Sequence, residues 1–197
     1  MHTPSNIYQE GFLMVKPFVA AVFFCCFFFL QTSAFGRGGM TMTLAISSPV
    51  FANGQSIPAR YTCEGEDVSP PLEFSGVPSN AASLVLIVDD PDAPDPAAPK
   101  MTWVHWLLYN LPADTSGLAE GVTMLPQGTL SGISDFKRTR YGGPCPPIGE
   151  HRYMFKLYAL DTLLPDLGRP DKEALLRAMD GHIIEQALLI GLYQKRK

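Results

Sequence analysis

Ser83-Leu-Val-Leu-Ile-Val88 carries no charge, is half β-branched, and runs directly into Asp89-Asp90-Pro91. A run this short, rich in β-branched residues and closed by turn residues, fits a strand buried on both faces better than a buried helix. Two further segments read the same way. Trp103-Val-His-Trp-Leu-Leu-Tyr109 stops at Asn110-Leu-Pro112. Tyr153-Met-Phe-Lys-Leu-Tyr-Ala-Leu160 places Phe155, Leu157 and Ala159 on one face and Met154, Tyr158 and Leu160 on the other. Thr43–Ser48 and Ala187–Tyr193 are expected as first and last strands. Ser69-Pro-Pro-Leu-Glu-Phe74 is an edge or a strand entry, because proline cannot donate to a ladder. One helix stands out over 171–179, with Asp171 placed to cap it and Gly181 to end it, and a short helical turn is expected over 182–186. Strands with no regular helix between them predict a mainly β fold, an antiparallel sandwich with one late helix packed on its side.

The whole chain has 197 residues, enough for one core, with Lys+Arg 15 against Asp+Glu 19 and a net charge of −4. That balance lacks the basic patch that nucleic-acid binding needs. Gly 17 and Pro 18 make it rich in turns without reaching the composition of a disordered chain. No repeat or heptad is present.

The N-terminus reads as a targeting segment. Lys16 precedes the uncharged run Pro17–Leu30, and Thr32-Ser33-Ala34 supplies small residues before a cut after Ala34. A charged start, a short apolar stretch and a small-residue cut describe a secretory signal peptide over residues 1–34. Met14 is a candidate for the true start codon. A permanent anchor needs about 20 apolar residues, more than this run holds. The expectation is a single domain over 35–197 in the periplasm or outside the cell. Removing the signal leaves Cys63 and Cys145, a disulfide candidate in an oxidising compartment, the alternative being two small buried thiols.

The long loops 89–100 and 132–150 concentrate the chemistry, and loops of such length inside a domain are usually functional. Asp89-Asp90-Pro-Asp92-Ala-Pro94-Asp95 places four carboxylates after a buried strand. His105 lies in an apolar strand between Trp103 and Trp106. Tyr141-Gly-Gly-Pro-Cys-Pro-Pro147 leads to His151 and Tyr153, which share a face of any strand. Each has an ordinary explanation: a solvated turn, a satisfied core histidine, a rigid loop. Together they suggest an anion pocket. The N–H groups of Gly142, Gly143 and Cys145, held by Pro144, Pro146 and Pro147, can form a nest. His105, His151 and Tyr153 add donors, and a carboxylate behind a histidine fixes that ring's tautomer. Zinc lacks the usual ligand spacing, and no cofactor motif is present. The reading is therefore a non-enzymatic binding protein. The alternative is a hydrolase of phosphoester-type substrates that uses an Asp-polarised histidine, although no nucleophile is evident.

Asp89-Asp-Pro-Asp-Ala-Pro94, Trp103-Val-His-Trp106, Tyr141-Gly-Gly-Pro-Cys-Pro-Pro147, His151-Arg-Tyr153 and Leu157-Tyr-Ala-Leu-Asp161 occur here in order. Ser69-Pro-Pro-Leu72, Tyr109-Asn-Leu-Pro112 and Ala187-x-Leu-x-Gly-x-Tyr193 accompany them. In these motifs the chain resembles the phosphatidylethanolamine-binding protein family, in particular its bacterial Raf-kinase-inhibitor-like branch. The resemblance implies an antiparallel β-sandwich of Greek-key character with a helix near the C-terminus. It also implies a pocket for phosphate-like anions or phospholipid head groups, walled by Asp90, His105, the Gly142–Pro146 loop, His151 and Tyr153. A phosphorylated protein target, with an inhibitory or modulating role, follows by analogy only. The oligomeric state stays open, a homodimer included. Pro99-Lys100-Met101-Thr102 stands where eukaryotic members carry a tyrosine upstream of the Trp-x-His motif.

Overall fold

Leu84, Leu86 and Val88 point into one apolar cluster and Val85 and Ile87 into another, so the strand that holds them separates two cores. The computed structural model describes residues 43–196. The expected signal peptide, the start at Met14 and the cut after Ala34 lie outside the described residues. Nine strands and one α-helix follow in order: β1 (Ala45–Ser47), β2 (Gln55–Ser56), β3 (Leu72–Ser75), β4 (Ser83–Asp90), β5 (Trp103–Pro112), β6 (Gly117–Leu118), β7 (Leu130–Ser131), β8 (Glu150–Leu160), α1 (Lys172–Met179) and β9 (Ile183–Gln194).

A six-stranded sheet has the order β2-β9-β8-β4-β5-β7, and a three-stranded sheet the order β1-β3-β6. Their facing sides enclose the larger core, in which Phe155 is fully buried and meets Phe51 with ring centroids 5.7 Å apart. The opposite face of the large sheet carries Val104, Leu107, Tyr109 and Leu160, and α1 covers it with Leu175 and Met179. Burial on both faces explains why β4 has no polar alternation. The sandwich with a late helix is as expected from the sequence, and Asp171 caps α1 by accepting a hydrogen bond from the Ala174 N–H at 2.8 Å.

Three elements differ from the sequence reading. Residues 182–186 are not a helical turn: from Ile183 they belong to β9, which pairs with β8 along its length. Ladder pairing over so long a stretch outweighs a weak local helical preference. The sandwich is also not wholly antiparallel, because β2 pairs parallel with β9. Finally, β4 does not stop at the carboxylates but continues through Asp90.

Candidate functional site

The carboxylates after Val88 are not a solvated turn. Asp89, Asp90 and Asp92 are all buried, and each has a basic side chain as partner. Asp89 faces the helix side, where Lys156 of β8 and Lys172 of α1 approach one of its oxygens at 2.8 and 2.5 Å. Asp90 faces the opposite side and meets His151 Nδ1 at 2.7 Å. Asp92 accepts from the Arg152 side chain at 2.9 and 2.7 Å, which holds its carboxyl below the usual range. Burial makes such pairs obligatory, since an isolated buried carboxylate is far too costly.

His105 reaches the site through an irregularity in the ladder. Val88 pairs with Trp106 and Asp89 with Val104, so His105 is the extra residue of a β-bulge. Trp106 faces the larger core and Val104 the helix layer. In a regular strand His105 would therefore have turned toward the helix; the bulge aims it at the pocket instead. Its Nδ1–H donates to the Gly142 carbonyl at 2.6 Å. Burial lowers its pKa below the ordinary histidine value, against the opposing pull of the Gly142 carbonyl and Asp90. A neutral ring that donates through Nδ1 presents Nε2 as an acceptor.

His151 and Tyr153 lie side by side on the inner face of β8, as the period of two predicts, with rings stacked at 6.4 Å and 20°. Asp90 stands behind His151 as expected, but the opposite nitrogen is not offered to a ligand. His151 Nε2 faces the Ile148 carbonyl at 2.9 Å, and the ring is fully buried. Both ring nitrogens are therefore engaged within the protein, and His151 offers neither to a ligand. The Tyr153 hydroxyl is buried with no hydrogen-bond partner among the described residues. The Cys145 N–H lies toward it without completing a bond, and burial raises the Tyr153 pKa, so the hydroxyl stays a neutral donor.

The glycine nest does not form. The Gly142 N–H donates to the His105 carbonyl at 3.2 Å and the Gly143 N–H to Asp67 Oδ1 at 2.6 Å. Both groups are used in holding the loop, which leaves only the Cys145 N–H for a ligand. Gly142 is required for close approach: a Cβ there would come within 2.5 Å of the Phe136 ring. Cys63 and Cys145 are joined in a disulfide with their Cα atoms 5.4 Å apart.

Asp90, His105, Cys145, Pro146, His151 and Tyr153 come together around a cavity of about 220 Å³; Gly142, Gly143 and Pro144 do not line it. The rest of the wall is apolar: Ala93, Pro94, Met101, Trp103, Phe136 and Pro147. Phe136 packs edge-on against His105 at 5.4 Å, and no sequence signal marked it. Asp67, which ties Gly143 and Arg138, also went unmarked.

Three strand termini and a proline-held loop of the β-sandwich thus build this pocket, and known proteins share the fold. The chain matches the model of the phosphatidylethanolamine-binding protein family over residues 47–194. It belongs to that family. A UPF0098 protein of Methanothermobacter thermautotrophicus is 48% identical over 153 residues, covering 76% of this chain and 98% of that protein. The crystal structure of CT736, a putative phosphatidylethanolamine-binding protein homologue of Chlamydia trachomatis, aligns with a TM-score of 0.73 at 45% identity, covering 79% of this chain and 99% of that one. YbcL of E. coli, described as a member of the mammalian family, aligns with a TM-score of 0.70 at 30% identity, covering 78% and 99%.

Proposed function

We propose that this chain is a non-enzymatic binding protein whose pocket takes a small phosphate-bearing group, free, on a phospholipid head group or on a protein partner. The observation that carries the reading is the Tyr153 hydroxyl, buried in the pocket wall with nothing to donate to among the described residues. Buried donors without partners are rare in native proteins, and a ligand oxygen resolves this one. The Cys145 N–H beside it supplies a second donor. His105 Nε2, as an acceptor, suits a protonated phosphate oxygen. Trp103, Met101 and Phe136 offer apolar contact to whatever the phosphate is attached to.

This arrangement favours the monoanion of a phosphate monoester. A dianion would set extra charge against the His105 lone pair and the Asp90 carboxylate. Affinity for phosphoethanolamine is therefore expected to rise as pH falls from about 8 to about 6, because the second phosphate pKa lies near 6. The cause is the ligand's proton, not a gain of charge on His105, whose pKa burial lowers. Tyr153→Phe is expected to weaken binding by about 1.5–3 kcal/mol, roughly ten- to hundred-fold. His182→Ala should leave binding unchanged, since His182 is exposed and pairs with Asp161 at 2.9 Å. NMR titration reads all three. Equal affinity in wild type, Tyr153→Phe and His105→Ala would remove the pocket from the account.

The Cys145 sulfur is bonded to Cys63, so the one thiol at the pocket is not a free nucleophile. That supports binding over hydrolysis. A panel of phosphoesters with His105→Ala as control is expected to show no turnover that the variant loses.

We place the protein in the periplasm or outside the cell. The support is the apolar run Pro17–Leu30 before Thr32-Ser-Ala34, together with a disulfide that suits an oxidising compartment. The intact mass of the exported protein should correspond to a chain beginning at Phe35. A mass that retains residues 14–34 would overturn this.

A further inference from the structure

The loop that walls the pocket is held in two unequal halves. Its first half is tied several times over. The Tyr141 hydroxyl donates to the Tyr61 carbonyl at 3.1 Å, Gly142 and His105 exchange two bonds, Gly143 donates to Asp67, and the Cys63 N–H donates to the Pro144 carbonyl at 3.0 Å. None of these needs the disulfide. The second half, residues 145–149, has far less. Pro146 and Pro147 have no N–H to give. Among the described residues, its polar contacts are the hydrogen bond from His151 Nε2 to the Ile148 carbonyl and the Cys145 N–H that lies toward the Tyr153 hydroxyl. The covalent tie is the bond from Cys145 to Cys63.

This half is also the thin part of the wall. Cys145, Pro146 and Pro147 line the cavity on one side, while Cys63, Cys145, Pro147 and Ile148 are exposed to solvent on the other. A disulfide that is exposed at both cysteines is open to thiol attack. The bond is therefore reachable from solvent, fastens the least supported part of the site, and touches the ligand space.

We propose that the Cys63–Cys145 disulfide is a redox latch on the pocket, rather than only a staple of the domain. The inference rests on the binding reading above and adds its regulation. A dithiol reductant supplies the chemistry. One of its thiolates attacks a sulfur of the bridge, forming a mixed disulfide and releasing one cysteine thiolate. The second thiol of the reductant then displaces the other cysteine and closes a disulfide within the reductant. Two electrons pass to the protein, and two protons end on the Cys63 and Cys145 sulfurs. The first half of the loop keeps its hydrogen bonds, so the change is confined to residues 145–149, which hinge after Pro144. The wall opens, the Cys145 N–H leaves the Tyr153 hydroxyl, and the Ile148 carbonyl is free to leave His151. Apparent affinity falls in proportion to the time the wall is closed: a wall open about nine-tenths of the time weakens binding about tenfold.

The experiment measures phosphoethanolamine binding and backbone amide NMR shifts of the same protein, oxidised and then treated with dithiothreitol. The expected result is affinity weaker by about tenfold on reduction. The amide NMR signals of Ile148 and Gly149 should move toward random-coil positions while those of β4 and β8 stay in place. Cys63→Ser should show the weak affinity without reductant and no response to it. Equal affinity and unmoved Ile148 and Gly149 signals in both redox states would overturn the latch. Loss of the native β4 and β8 signals would also overturn it, because the bridge would then be holding the whole domain. If the oxidised protein does not bind phosphoethanolamine, the binding reading fails, and the Ile148 and Gly149 signals alone decide whether the wall opens.

Discussion

The double variant Cys63→Ser/Cys145→Ser is expected to lose about 4.5 kcal/mol of unfolding free energy, the chain-entropy value for so long a closed loop. The two cysteines are 82 residues apart in sequence. The folded state gives up little beyond the freedom of residues 145–149, because Tyr61, Cys63 and Asp67 still hold Tyr141, Pro144 and Gly143 by hydrogen bonds. Almost all of the effect therefore comes from the unfolded chain, which regains the freedom to separate these segments. A domain of this size ordinarily has about 5–15 kcal/mol of stability, so the variant should remain folded at 25 °C but unfold at lower urea. Urea titrations of the oxidised protein and the variant, analysed with a common slope, give the difference. A loss below about 1 kcal/mol would mean that the unfolded chain already keeps the two segments together.

Asp90→Ala is expected to cost about 1–3 kcal/mol for each buried group left without its partner, the His151 ring and the Asp92 N–H. His151 is fully buried and would be left facing a cavity on one side and the Ile148 carbonyl on the other. The Asp92 N–H, which donates to Asp90 Oδ1 at 2.8 Å, would lose its acceptor as well. The contrast is Arg60, whose ion pairs with Glu66 and Glu120 have side chains about half exposed (48% for Arg60). Arg60→Ala should cost less than about 1 kcal/mol, because solvent screens such pairs. Equilibrium unfolding at neutral pH compares the two. If Asp90→Ala cost no more than Arg60→Ala, the contact with His151 would contribute nothing to the fold.

Much of the molecule is local in origin and was legible without coordinates. The uncharged β-branched runs around Val85 and Leu107 could only be strands covered on both sides. Asp171 and Gly181 bracket a helix by the backbone groups they satisfy and the conformation they allow. The period of two along β8 puts His151 and Tyr153 on one face whatever that strand pairs with. The decisive features of the site are different in kind, because they depend on which segments meet. His105 turns toward the pocket only because β4 and β5 pair with a one-residue slip, and no spacing within β5 records that slip. The N–H groups of Gly142 and Gly143 looked free for an anion until Asp67 and the His105 carbonyl, far away in sequence, were brought against them. Asp89 and Asp90 looked like a solvated turn until burial on opposite faces of one strand gave each its own basic partners. Residues 183–186 became strand because β8 offered a partner along their length. Local chemistry sets what each segment can be; long-range pairing, which closes register and burial at once, decides which of its groups remain for a ligand.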